Sequence, residues 1–161
     1  MALRDGTPAD VDAAVALWLA SSAARRGARP PLPPAAEASV RASLAAPDAF
    51  LVIAEDTGTM TGMALGVQGL ADDGAGAPIA GLCHVRMVFV APGRWGQGIG
   101  GGLVDRLLAE ARARGYLRAQ LWTHADNVRA QRLYERRAFR RSGREKADDL
   151  DGTIVHYERA L

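Results

Sequence analysis

Five glycines fall within the seven positions Gly96–Gly102, and an apolar helical pattern follows them directly. Glycine weakens a helix by about 1 kcal/mol relative to alanine, so the run must have a compensating use. Glycines expose the backbone N–H groups that, with the positive end of a helix dipole, bind phosphate. No acidic residue follows until Asp105, which leaves the start of the helix without negative side chains. The segment therefore predicts a phosphate-binding loop more strongly than a plain tight turn.

Two common phosphate loops do not fit this segment. A nucleoside-triphosphate loop ends in Gly-Lys-Ser/Thr, whereas two further glycines follow Gly100. The dinucleotide fingerprint Gly-x-Gly-x-x-Gly is present at Gly96, Gly98 and Gly101, but it belongs after the first strand and needs an acidic residue about 20 positions later. Here it follows the fourth predicted strand, and Leu121 stands where the acidic residue is required. Neither of these two loops therefore accounts for the segment.

The segment FVAPGRWGQGIGGGLVDRLL resembles the acetyl-CoA-binding segment of the GNAT superfamily of N-acetyltransferases. Gly98 and Gly100 match the small positions of its pattern Arg/Gln-x-x-Gly-x-Gly/Ala, and Val90–Pro92 matches the preceding strand end. Trp95 occupies the first, usually basic or amide, position, and Arg94 is displaced from it by one. The cofactor-binding residues that the resemblance implies here are Val88, Phe89, Val90, Arg94, Trp95, Gly96, Gln97, Gly98, Ile99, Gly100 and Gly101.

A second segment, WTHADNVRAQRLYERRAF, resembles the later motif of the same family, Asn-x-x-Ala-x-x-Leu-Tyr-x-x-x-Gly-Phe. The matching residues are Asn127, Ala130, Leu133, Tyr134 and Phe139. Ala138 stands at the position where glycine is common. The resemblance covers nearly the whole chain and implies an acetyl-CoA-dependent N-acetyltransferase in which Asn127, Ala130 and Tyr134 also contact the cofactor.

Acetyl transfer from a thioester to an amine requires a deprotonated amine, a stabilised oxyanion and a proton for the leaving thiolate. The resemblance implies that Tyr134 donates this proton and that the backbone N–H of Val88 polarises the carbonyl. Packing of the aromatic ring against the helix is the alternative interpretation of Tyr134. His84 is a candidate general base because the reference pKa of histidine is roughly 6.5. A partly buried histidine bonded to backbone is an equal alternative, and Glu55 or a chain of waters could also take the proton.

Composition restricts the other function classes. Cys83 is the chain's one cysteine, which excludes a disulfide framework and a cysteine metal motif, and no metal site is expected. The formal net charge is +2, too small to imply nucleic acid. Three arginines share one face of the last predicted helix and are interpreted as a solvated surface, with binding of the coenzyme A 3′-phosphate or of RNA as the alternatives: Arg129, Arg132 and Arg136. Neither a signal peptide nor a membrane span is visible, so a cytoplasmic protein is expected.

The expected partners are acetyl-CoA and a small-molecule or peptide amine, with neither nucleic acid nor a membrane, and a homodimer is an open option. The acceptor stays open among an amino acid, a polyamine, an antibiotic and a protein N-terminus. Two acidic loops, ADDGAG and ADDLDG, are a hint of attraction for a cationic amine. A non-catalytic acyl-CoA-binding or regulatory domain is the alternative function.

The elements that must position these residues follow the order β-α-α-β-β-β-α-β-α-β-β. Strands are predicted near residues 1–7, 49–56, 60–70, 81–91, 116–124, 139–145 and 153–161, and helices near 7–22, 35–46, 100–114 and 127–138. Thr7 and Asn127 are predicted helix caps, and Gly115 a helix stop. The pattern predicts one α+β domain over residues 1–161, a mixed sheet of six to seven strands with helices on both faces. Two neighbouring parallel strands, VRMVFV and RAQLWT, are expected to part and admit the pantetheine arm.

Overall fold

The computed structural model describes residues 1–148, 150 and 152–161, and within them the elements follow the predicted order. The strands are β1 Ala2–Asp5, β2 Phe50–Asp56, β3 Thr59–Leu70, β4 Pro78–Val90, β5 Arg118–His124, β6 Arg140–Asp148 and β7 Gly152–Ala160. The α-helices are α1 Val11–Arg26, α2 Pro34–Leu44, α3 Ile99–Ala113 and α4 Val128–Glu135. Short 3-10 turns cover Pro8–Asp10, Asp72–Gly74 and Pro92–Arg94.

One mixed sheet contains all seven strands in the order β1-β2-β3-β4-β5-β7-β6. β4 and β5 run parallel, whereas β1 with β2, β2 with β3, β5 with β7 and β6 with β7 run antiparallel. The parallel register pairs Leu82–His84 with Arg118–Gln120, and both strands continue beyond these pairs. The predicted α+β class and mixed sheet are confirmed.

Element ends differ from the prediction where a local stop signal decides them. α1 continues to Arg26 because its stop is Gly27, at φ 59°, whose N–H donates to the carbonyl of Ala23. β6 runs through Asp148, so the predicted ADDLDG loop begins inside a strand. Asp149 and Asp151 of that loop lie outside the described residues.

Backbone contacts group the chain into two compact units. Unit 1 comprises residues 1–67 and 87–107, and unit 2 comprises residues 68–86 and 108–161. The prediction of a single domain over residues 1–161 stays a prediction. Within the described part of the chain, no helix is long and apolar enough to cross a membrane.

Unit 1 has helices on both faces of its strands. On the face that α1 and α2 cover, buried apolar side chains of these helices and of the strands form one cluster: Ala14, Val15, Leu17, Trp18, Val40, Met63, Leu65 and Met87. Alternation along β3 turns Gly62 away from Met63 and toward α3. A Cβ atom on Gly62 would lie 2.8 Å from Leu103 Cδ1 and 3.0 Å from Ile99 Cγ2. The glycine therefore permits the close approach of α3 to the sheet.

The start of α1 is fixed by a network around Asp10. Thr7 caps the 3-10 turn Pro8–Asp10 that precedes α1 rather than α1 itself, and its N–H donates to Asp10 Oδ2 over 2.8 Å. Arg4 donates to both oxygens of the same carboxylate, over 3.0 and 2.8 Å, and its Nε donates to Glu55 over 2.9 Å. The Arg4 guanidinium holds the pKa of Asp10 well below its usual range. The network ties β1, β2 and the first helical turn together.

Unit 2 is centred on α4 and the strands beneath it. Asn127 accepts a hydrogen bond from the Ala130 N–H over 3.2 Å, which confirms the predicted cap. The Tyr134 ring lies 5.8 Å from Phe139 and 6.5 Å from Tyr157, centroid to centroid. Ala138 has φ 62°, the left-handed conformation that glycine adopts without a steric cost. This conformation explains why glycine is common at that position of the motif Asn-x-x-Ala-x-x-Leu-Tyr-x-x-x-Gly-Phe.

We expect Asp10→Asn to lower the free energy of unfolding by about 1 kcal/mol at pH 7, because a neutral amide weakens the charge-assisted hydrogen bonds that Arg4 and the Thr7 N–H donate to this side chain. A carboxyl whose folded pKa is depressed stabilises fully above its unfolded pKa and loses that stabilisation as the pH falls. The difference between the two proteins should therefore narrow between pH 5 and pH 3 in urea titrations.

Asp12→Asn is the matched control, because Asp12 pairs with Arg41 but its side chain is 90% exposed. It should change stability by less than about 0.5 kcal/mol, as exposed ion pairs do. Equal effects of the two substitutions would contradict a special role for Asp10.

Candidate active site

The loop after β4 turns through two left-handed glycines before α3 begins. Gly96 has φ 83° and Gly98 has φ 81°, a region that a residue with a Cβ enters only at a steric cost. A Cβ at either position would meet nothing within 4 Å. These two glycines are thus required by backbone conformation rather than by crowding.

Four consecutive backbone N–H groups at the start of α3 donate no hydrogen bond within the described residues. They belong to Gln97, Gly98, Ile99 and Gly100. The Gly102 N–H makes the first helical bond, to Gly98 O over 3.1 Å. The first turn of α3 contains no acidic residue. Adjacent unpaired N–H groups at the positive end of a helix dipole suit an anion such as a diphosphate.

Contacts from neighbouring elements fix the shape of this loop. The Val90 carbonyl accepts two hydrogen bonds, from Ser21 Oγ over 2.8 Å and from Trp95 Nε1 over 2.8 Å. Gln97 Nε2 donates to the Gly93 carbonyl over 3.4 Å. Trp95, at the position where the motif is usually basic or an amide, thus connects the loop to the end of β4 through its indole.

Arg94 is engaged in an ion pair. Its Nη2 donates to Asp56 Oδ2 at the end of β2, over 2.7 Å, and the guanidinium lowers the pKa of that carboxyl. A cofactor phosphate at Arg94 would have to share the guanidinium with Asp56. Val88, Phe89 and Val90, the other predicted contacts in unit 1, form the half-buried end of β4.

Tyr134, Asn127, Ala130 and His84 lie in unit 2. Tyr134 is 7% exposed, and its hydroxyl makes no hydrogen bond within the described part of the chain. Burial raises the pKa of this hydroxyl, so it is protonated at neutral pH, as a proton donor must be. The packing of its ring is equally well defined, so the contacts fit both interpretations of this residue.

His84 sits in register with Gln120 on β5. Its Nδ1 is buried and has no hydrogen-bond partner among the described residues. Burial, followed by the positive charges of Arg86, His156 and Lys146, lowers the pKa of His84 to about 4. The imidazole is therefore neutral at pH 7, and an N–H at Nδ1 would lack an acceptor. His84 is a weaker base than an ordinary histidine.

Two other nucleophilic or basic groups are held in unreactive states. Glu55 accepts the hydrogen bond from Arg4 described above. Cys83 is fully buried, and burial raises the pKa of its thiol to about 12. Its sulfur therefore remains a thiol at neutral pH.

A polar face of β5, β6 and β7 was missed in the sequence. His156 Nε2 lies 2.9 Å from Gln120 Oε1, and its Nδ1 lies 2.7 Å from Ser142 Oγ. His124 Nε2 lies 2.8 Å from Asp148 Oδ2. Alternation of Gln120, Trp122 and His124 with buried neighbours was the signal that could have found this face.

The chain is similar to known proteins in sequence and in structure. The model of the acetyltransferase (GNAT) family matches residues 15–139. A mycothiol acetyltransferase of Beutenbergia cavernae is 39% identical over 77 residues, and the match covers 42% of this chain and 26% of that protein. The matched segment thus spans about a quarter of the relative's length.

Solved structures share the fold at low sequence identity. A ribosomal-protein-alanine N-acetyltransferase from Brucella melitensis has a TM-score of 0.76 at 19% identity, with 100% of both chains covered. The PaiA N-acetyltransferase from Thermoplasma acidophilum, solved in complex with coenzyme A, has a TM-score of 0.70 at 15% identity, again with 100% of both chains covered. At such identities the likeness shows the fold alone.

The His84 imidazole is expected to titrate near pH 4, well below the reference value of 6.5, because burial disfavours its charged form. The folded state then binds fewer protons than the unfolded chain between these values, so stability falls as the pH is lowered through this window. NMR titration of the histidine Cε1–H signals, assigned with His84→Gln, measures the pKa. Titration near 6.5 would contradict the buried environment.

Proposed function

The chain belongs to the GNAT acetyltransferase family, and on that premise we propose that it transfers an acetyl group from acetyl-CoA to a primary amine within a ternary complex. The observation that carries the proposal is the row of four unpaired N–H groups from Gln97 to Gly100. The alternative, a non-catalytic acyl-CoA-binding domain, would keep this row and lack turnover.

The pyrophosphate of the cofactor is proposed to bind these N–H groups. Backbone donors at a helix N-terminus suit a diphosphate because they are fixed in place and lie at the positive end of the helix dipole. Gly96 and Gly98 keep the donors in position, and Gly101 follows the row. The coenzyme A complex of the Thermoplasma acidophilum neighbour supports this choice of ligand class.

When bound, acetyl-CoA supplies the thioester that serves as acyl donor. The acceptor nitrogen forms a bond to the acetyl carbon, and the bond from that carbon to sulfur breaks. Tyr134, whose hydroxyl is protonated at neutral pH, gives its proton to the departing sulfur. The Val88 N–H stabilises the carbonyl oxygen as it gains negative charge.

The acceptor must lose a proton, and His84 is the proposed base. Its pKa of about 4 keeps the imidazole unprotonated at neutral pH, and water carries the proton onward. Glu55 is a poorer candidate because Arg4 already holds its carboxylate. Cys83 is given no covalent role because its thiol stays protonated.

Gly98→Ala tests the cofactor site, with Gly93→Ala as the matched control. Gly98 needs a left-handed backbone, whereas Gly93 has no such φ, and a Cβ at either position meets nothing within 4 Å. We expect Gly98→Ala to weaken acetyl-CoA binding about tenfold, since strain and misplaced N–H groups cost on the order of 1–2 kcal/mol. Gly93→Ala should bind like the wild type in isothermal titration calorimetry.

The same titration shows whether the wild-type protein binds acetyl-CoA. Acetyl-CoA should also raise the melting temperature of the wild-type protein, because selective binding stabilises the native state. Absence of any binding at millimolar acetyl-CoA would contradict the proposal.

Tyr134→Phe tests the proposed acid. We expect kcat to fall about a hundredfold, the usual contribution of general acid catalysis, with acetyl-CoA affinity nearly unchanged. Tyr157→Phe is the control, because this buried tyrosine donates to Glu135 over 2.8 Å and has no proposed catalytic role. Thiol release from acetyl-CoA with a panel of amines gives both rates. An unchanged kcat in Tyr134→Phe would remove the acid role.

A further inference from the structure

The strands of unit 2 present one face whose side chains the proposed transfer leaves mostly unused. Along β5, Ala119, Leu121 and Thr123 are buried, while Gln120 and Trp122 are half-buried on the opposite face. All three histidines of the chain contribute to this polar face or lie beside it: His84, His124 and His156. A face with so many polar groups and a central tryptophan is suited to binding a polar small molecule.

Two cations flank the tryptophan at the centre of this face. Arg144 Cζ lies 5.2 Å and Lys146 Nζ lies 4.5 Å from the centroid of the Trp122 ring, within the range of a cation–π contact. The ring also lies 4.9 Å from that of His156. The aromatic surface therefore fixes both positive groups in one place, although their side chains are 53% and 38% exposed.

A carboxylate from the chain itself already occupies this cationic pair. Arg144 Nη2 donates to Asp73 Oδ1, and Lys146 Nζ lies 3.8 Å from Asp73 Oδ2. Asp72 and Asp73 have φ of 52° and 53°, left-handed conformations that cost about 1 kcal/mol each for a residue with a side chain. The short loop after β3 thus adopts an unfavourable backbone conformation, and it places a carboxylate against Arg144 and Lys146.

The charge around His84 has the same sign as this pair. Arg86 and Lys146 are among the positive groups that depress the pKa of His84. The acids on this face are Asp73 and Asp148, which already pair with Arg144 and His124, and Glu158, which faces His156. Because Asp73 and Asp148 are already paired, the face disfavours an acceptor with several positive charges and suits one with a negative group.

We infer that the acceptor is an amine that also carries a carboxylate, and that this carboxylate binds Arg144 and Lys146 in place of the carboxylate of Asp73. The inference rests on the proposed acetyl transfer and names its substrate class. Arginine suits the role because its planar guanidinium can bind a carboxylate through two donors. Trp122 supports the site by holding both cations, and Asp73 acts as a competing internal ligand.

The experiment compares two acceptors of matched size, alanine and alaninamide, by thiol release at saturating acetyl-CoA. We expect the wild type to prefer alanine, and Arg144→Gln or Lys146→Gln to reduce that preference about tenfold through a higher KM for alanine. Comparing the preference between proteins cancels the different amine pKa values of the two acceptors. Arg144→Lys keeps the charge but loses the two-donor guanidinium, so its preference should lie between those of the wild type and Arg144→Gln.

Asp73→Asn gives an effect of opposite sign. Removing the internal carboxylate should lower the KM for alanine about threefold, because the carboxylate of alanine then no longer competes with Asp73 for Arg144 and Lys146. The effect is below tenfold because this exposed ion pair is weak. Asp72→Asn is the matched control, with the same left-handed backbone, and should leave the KM unchanged.

Three outcomes would overturn the inference. The first is a preference for alanine over alaninamide that Arg144→Gln and Lys146→Gln leave unchanged, which leaves acetyl transfer standing and removes the carboxylate site. The second is a raised KM for acetyl-CoA in Arg144→Gln with an unchanged acceptor preference, which would assign the cations to a cofactor phosphate. The third is no thiol release with any amine despite acetyl-CoA binding, in which case the proposed transfer fails and the inference fails with it.

Discussion

Four backbone N–H groups at the start of α3, which have no partner among the described residues, are the constraint on which the shape of the preceding loop depends. Buried or clustered donors normally find partners, so a loop that leaves a row of them unpaired must be stabilised by other atoms. The Val90 carbonyl supplies that support by accepting from both Ser21 and Trp95. The Arg94 ion pair with Asp56 holds the loop's 3-10 turn against the end of β2. The loop's own amides thereby stay available to an external anion.

The two units offer different kinds of positive group to a negatively charged ligand. In unit 1 the positive groups are backbone dipoles, which need no side chain and keep a fixed direction. In unit 2 they are Arg144 and Lys146, held over Trp122 and already matched by Asp73. The paired state of Asp73 also changes the interpretation of the acidic ADDGAG loop, because that carboxylate faces cations of its own chain rather than a cationic substrate.

Local signals made much of the fold predictable. Residues that neighbour one another in sequence determine the Asn127 cap, the hairpin of β2 and β3, and the glycine run before α3. Long-range contacts were not accessible in this way. The indole of Trp95 finds the Val90 carbonyl because the loop folds back on β4, and Arg94 finds a partner 38 positions away in Asp56. The low pKa of His84 likewise depends first on burial in the folded chain and then on positive groups that include Lys146 of β6, which periodicity within one strand cannot reveal.

The central claim is that the amides of Gln97, Gly98, Ile99 and Gly100 bind the cofactor's pyrophosphate. Titration of the ¹⁵N-labelled protein with acetyl-CoA, followed by amide chemical shifts, tests it most directly. Hydrogen bonding to phosphate oxygens should move these four amide protons downfield together, and inorganic pyrophosphate should move the same signals more weakly. Saturation of the protein with acetyl-CoA while these four signals stay in place would contradict the claim.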